Sequence, residues 1–72
     1  MNNMENRFKD ILKDLRTDRG LSMTILGKEL GIGGHSQIGK WESGEVIPGM
    51  FSLIALAKFF NISIDELVGL KS

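Results

Sequence analysis

Four residues in the middle of the chain, Gly31-Ile32-Gly33-Gly34, constrain what can form on either side of them. Each glycine costs roughly 1 kcal/mol relative to alanine inside a helix, so three in four residues end one. Yet both flanks carry apolar residues at helical spacing. Ser22 to Leu30 places Ile25, Leu26 and Leu30 together, and roughly His35 to Ser43 places Ile38 and Trp41 together. The chain is thereby driven into two short amphipathic helices joined by a tight turn. A dinucleotide-binding glycine fingerprint does not fit, because Ser36 stands where its last glycine is needed and no strand precedes the run.

The flanking segments supply the rest of a small helical domain. A first helix is expected over Glu5 to Asp18, with Phe8, Ile11, Leu12 and Leu15 on one stripe and the charge of Arg16 continuing it. Gly20 ends it. Ser22 is a fitting N-cap for the second helix, with Leu21 and Leu26 placed for a hydrophobic staple. Gly27 in its interior implies close approach by a neighbouring helix. The third helix has Ile38, Trp41 and Glu42 on one face and His35, Ser36, Gln37, Gly39 and Lys40 on the other, and stops at Ser43-Gly44.

A fourth helix, about Gly49 to Phe60, turns Met50, Leu53, Leu56, Ala57 and Phe60 inward. Phe51, Ala55 and Phe59 form a second apolar stripe, which points to a homodimer contact. Ser63-Ile64-Asp65-Glu66 is a capping box that opens a fifth, short helix, with Ile62 and Leu67 as its staple. Five helices and no strand make an all-α fold, one domain over residues 1–72.

Two short helices across a tight turn are the layout of a helix-turn-helix, spanning about residues 22–43, in which one helix braces another that can enter a DNA groove. Nine basic side chains balance nine acidic ones. Affinity for phosphates must therefore come from local positions rather than from overall charge. The helix-one cations Arg7, Lys9, Lys13 and Arg19 are interleaved with Asp10, Asp14 and Asp18, as on a solvated face. With no cysteine and a single histidine, neither a metal site nor a cofactor is expected. No nucleophile–base pair suggests an enzyme. The longest uncharged apolar run, Leu53 to Ala57, is too short to span a bilayer. The polar, mixed-charge Met-Asn-Asn-Met-Glu-Asn-Arg start is unlike a secretory signal, and a cytoplasmic setting is expected.

From roughly Phe8 to Gly69 the chain resembles the phage-repressor and Cro type of helix-turn-helix, often called XRE-like. Arg16 with Gly20-Leu21-Ser22, Leu26 and Leu30-Gly31 resembles the family's first two helices. Ile38, Trp41-Glu42-Ser43-Gly44 and Pro48 resemble its third helix and the loop after it. Leu53, Leu56-Ala57-Lys58 and Ile62-Ser63-Ile64-Asp65-Glu66-Leu67 resemble its last two helices. The resemblance implies a compact five-helix domain of the lambda-repressor-like type, with an ion pair between Arg16 and Glu42.

It also implies that helix three lies in the major groove of double-stranded DNA. His35, Ser36 and Lys40 then fall at base-reading positions, and Gln37 and Gly34 within reach of a base or phosphate. Lysine can donate to guanine O6 or N7, and serine is a small donor or acceptor. Arg19, Lys28 and Ser43 are candidate phosphate contacts. The chain departs from the family pattern in three places. The segment from Gly31 to Trp41 is one residue longer, Met23 replaces a phosphate-binding glutamine, and Glu45 follows helix three. The leading expectation is a transcriptional repressor that binds a pseudo-palindromic operator as a homodimer. The alternative is a protein-interaction module, an anti-repressor or bridging factor, with the same fold and weak DNA binding.

Overall fold

The amphipathic segments fold where their spacing places them. A computed structural model describes residues 7–70. Among these residues there are five helices and no strand: α1 (Phe8–Asp18), α2 (Met23–Glu29), α3 (His35–Ser43), α4 (Met50–Phe60) and α5 (Ile64–Val68). Glu5, where the first helix was expected to start, lies outside the described residues. α2 packs chiefly on α3, α1 packs on α3 and α5, and α4 packs on α5.

Local chemistry sets the boundaries. The Ser22 hydroxyl accepts from the Ile25 amide at 3.0 Å, which satisfies one of the free donors at the start of α2. At α5 the Ser63 hydroxyl accepts from the Glu66 amide at 3.0 Å, and the Glu66 carboxylate accepts from the Ser63 amide at 3.1 Å. These two bonds form a reciprocal capping box. The C-terminal ends of α1 and α2 close by one scheme. Leu21 N–H donates to Arg16 O and Gly20 N–H to Thr17 O, while Ile32 N–H donates to Gly27 O and Gly31 N–H to Lys28 O. This paired bonding reverses the chain within two residues, so each helix can fold back on its neighbour.

Phe8, Leu12, Leu26, Ile38, Trp41, Leu56, Ala57, Phe60 and Leu67 form one buried core to which every helix contributes. Each large apolar side chain removed from water contributes roughly 1.5–3 kcal/mol. The core thus carries the assembly against chain entropy, since a domain this small has little other surface to bury.

One apolar expectation needs correction. Met50 was placed in the core, yet it is 63% exposed. It is the first residue of α4. The stripe Phe51, Ala55 and Phe59 is unequally exposed. Phe51 is 80% exposed and Ala55 is half-buried, whereas Phe59 packs against the core. Its ring meets Phe60 edge-on, with centroids 5.0 Å apart.

Candidate nucleic-acid interface

The position of α3 is set from behind. Ile38 and Trp41 are buried on its inner face. Beside them Arg16 of α1 reaches across to Glu42. Arg16 Nε donates to Glu42 Oε2 at 2.6 Å and Nη2 donates to Oε1 at 2.9 Å. Nη1 donates to the Leu21 carbonyl at 2.8 Å, so the same guanidinium ties α3 to the α1–α2 connection. Both side chains are largely buried. The planar guanidinium matches the carboxylate in two parallel bonds, which fixes orientation as well as distance. The hydrogen bonds that Arg16 donates to Glu42 hold its pKa above the ordinary arginine range, opposed by burial and aided by the carboxylate's charge. A raised pKa keeps this contribution intact below the ordinary arginine value. It is lost only as pH climbs above the folded one, so the arginine stays charged throughout the neutral range.

The opposite face of α3 is open. His35, Ser36 and Lys40 are exposed, and Gln37 is half-buried. They lie within the first two turns of one helix, where Ser36 and Lys40, four apart, share a side. A Cβ built at Gly39 would meet Met23 Sδ of α2 at 3.7 Å, an ordinary contact, so packing does not require glycine there. Gly34 is the N-cap of α3, and no side chain caps the first turn. Unsatisfied N–H groups at a helix N-terminus favour negative charge.

The remaining candidates separate. Lys28 is exposed on α2. Ser43 is exposed too, but its hydroxyl donates to Lys40 O at 3.1 Å and accepts from Glu45 N–H at 3.2 Å. Arg19, expected as a phosphate contact, is engaged elsewhere. Its Nη1 and Nη2 donate to Phe59 O and Phe60 O at 3.2 Å each, and its guanidinium lies 5.5 and 5.1 Å from the two ring centroids. Arg19 therefore caps the end of α4, where a cation complements the helix dipole. No sequence spacing signalled this contact, because the partners are about forty residues apart.

A second surface emerged that the sequence showed only in part. Ile47, Met50 and Phe51 are 70%, 63% and 80% exposed. Behind Phe51 lies a shallow apolar cleft of about 220 Å³, lined by Leu30, Ile32, Trp41, Phe51, Ser52 and Ala55. Met50 was hidden by its helical spacing, and Ile47 by its place in a loop before Pro48.

Comparison with known proteins agrees with this geometry. A family model described as helix-turn-helix matches residues 12–67. The chain is 41% identical over 61 residues to the HTH-type transcriptional activator BcrR of Enterococcus faecalis, a match covering 85% of this chain. It spans 29% of that relative's length. No solved structure matches. No helix among the described residues is long and apolar enough to cross a membrane, and they contain no cluster of three or more residues that could hold a metal ion. A bracing helix, a glycine turn and a pinned third helix with a polar outer face thus coincide with the matched span, and the chain belongs to the XRE-type helix-turn-helix family of DNA-binding transcriptional regulators.

Proposed function

We propose that this chain binds a specific duplex sequence by laying α3 in the major groove, with His35, Ser36 and Lys40 reading base edges. The observation that carries this reading is the asymmetry of α3. Its inner face is fastened by Trp41 and the Arg16–Glu42 pair, while the outer face is polar, exposed and free of structural duties. Gln37 and the N-cap at Gly34 lie close enough to that face to meet a base or a phosphate. Lys28 is a phosphate contact from α2, and Ser43 becomes one from the end of α3 when its hydroxyl turns from the Lys40 carbonyl to a phosphate oxygen.

A single module reads few base pairs, and two copies related by a two-fold axis read two half-sites about one helical turn apart. Homodimerisation uses the exposed patch around Phe51, with Ile47, Met50 and Ala55. Phe59 drops out of that interface because it already packs against the core. The matched relative is called an activator, so the expectation of a repressor is broadened. The likeness covers under a third of that protein and bears on DNA binding. Here the sign of the effect follows from where the site lies relative to the promoter.

Selection from a random duplex library at two salt concentrations tests this. A two-fold symmetric motif is expected, with affinity falling as salt rises according to the phosphates contacted. A single half-site would overturn the dimer and leave the groove reading standing. No motif from folded protein would favour the second reading, a protein-interaction module, for which the 80% exposure of Phe51 is the supporting observation.

A further inference from the structure

We infer that Gly27, which touches no DNA in this reading, is a positioning residue that sets where the first turn of α3 enters the groove. The inference rests on the groove assignment proposed above. Gly27 is buried within α2, and a Cβ built on it would lie 2.7 Å from both Gly33 O and Gly34 O. No carbon approaches a carbonyl oxygen that closely, so the backbone of the turn sits where a methyl group would be. The approach expected of a neighbouring helix is made instead by the turn itself.

The geometry also shows which side would yield to an added methyl. Towards the core, Leu26 is fully buried, and a close-packed interior transmits strain rather than absorbing it. On the other side, a Cβ at Gly31, Gly33 or Gly34 would meet nothing within 4 Å. That segment is glycine-rich, exposed and free to move outward. Its beginning is tied down, because Ile32 N–H donates to Gly27 O at 3.0 Å. Displacement is therefore forced into Gly33 and Gly34, the two residues that lead directly into His35. The far end of α3 stays in place through Trp41 and Glu42. Gly27→Ala thus tilts or slides the first turn, moving His35 and Ser36 more than Lys40.

The test compares Gly27→Ala with Gly49→Ala, whose Cβ would stand in open space at φ −73° outside the proposed binding residues. For Gly27→Ala we expect a cooperative fold and altered backbone amide NMR shifts at residues 31–36, with the Trp41 indole and the Arg16 guanidinium resonances unchanged. On the motif selected by the unaltered protein it should bind about tenfold to a hundredfold more weakly, the loss expected for one or two misplaced base contacts. In a fresh selection, preference should change at the base pairs nearest the first turn and persist at those read by Lys40. Gly49→Ala should leave amide shifts beyond its immediate neighbours and the motif unchanged. Failure of Gly27→Ala to fold would overturn the inference, because it would show that the turn cannot yield. Wild-type shifts at residues 31–36, or an unchanged motif at unchanged affinity, would overturn it equally. If the unaltered protein selects no motif, the groove assignment fails, and the NMR comparison still decides whether Gly27 positions the turn.

Discussion

The two halves of α3 are built to opposite rules. Its C-terminal half holds Trp41, which is 2% exposed, and Glu42, whose carboxylate takes two bonds from Arg16. Gly44 and Val46 then donate to the carbonyls of Trp41 and Lys40, fastening the helix end to the loop that follows. The N-terminal half begins at a glycine cap with no side chain, and His35 and Ser36 after it are exposed. A reading surface needs side chains with unspent hydrogen-bonding capacity, and a small domain needs every other polar group satisfied. Dividing one helix serves both, although the buried Trp41 Nε1–H in the anchored half has no hydrogen-bond partner, since that half supplies the rigidity that lets the open half be specific.

The largest effect should come from breaking the anchored half. Glu42→Ala leaves the Arg16 guanidinium nearly buried without its carboxylate, which typically costs about 3–5 kcal/mol. That is comparable to the whole stability of a domain this size, and thermal melts followed by circular dichroism should show loss of the cooperative transition at 37 °C. Replacing both partners by apolar residues, Arg16→Met with Glu42→Leu, should recover most of the stability because no charge is then stranded. If the single variant melts like the unaltered protein, the pair is not what holds α3.

The open half should behave in the reverse manner. Lys40→Ala removes an exposed side chain, so the melting temperature should stay within a degree or two, while affinity for the selected motif falls by about 1–3 kcal/mol. Ser36→Ala should give the same pattern with a smaller loss. Stability losses at these positions would erase the distinction between the halves. Unchanged affinity would remove the residues from the reading surface.

Arg19→Ala is a smaller test, at the border between structure and recognition. Losing the α4 cap and the contact with two phenylalanine rings should cost about 1 kcal/mol, or about 4–8 °C in melting temperature for a domain of this length. The slope of affinity against salt should not change. A shallower slope by roughly one ion, with no stability loss, would return Arg19 to the phosphate contacts.

What could be read from the sequence follows the range of the interactions involved. Helix existence, the Ser22 and Ser63 caps and the inward face of α3 depend on residues three or four apart, and those spacings are visible in one dimension. Glu42 facing Arg16 was approachable because each charge sits on an otherwise apolar stripe. Arg19 over Phe59 and Phe60, and Gly27 under the turn, leave no such mark. The first joins residues about forty apart through a backbone carbonyl, and the second involves an atom that is missing. Met50 failed for a different reason. Periodicity tells which side of a helix a residue is on, but not whether a partner element extends that far.

The smallest expected effect adds to the open half instead of subtracting from it. Gly34 sits at the N-cap of α3 with φ −81° and ψ −166°, an extended conformation open to any residue, and a Cβ there would meet nothing within 4 Å. Gly34→Ser supplies a hydroxyl that can accept from an amide of the first turn, as Ser22 does at α2. Serine exceeds glycine at this position by only a few tenths of a kcal/mol, so the melting temperature should rise by about 1–2 °C. DNA affinity carries the more informative result. If the free amides at the head of α3 help to receive a phosphate, the new hydroxyl competes for one of them, and affinity should fall even as stability rises. Parallel increases in both would show that order in the first turn, rather than its unspent donors, is what the open half lacks.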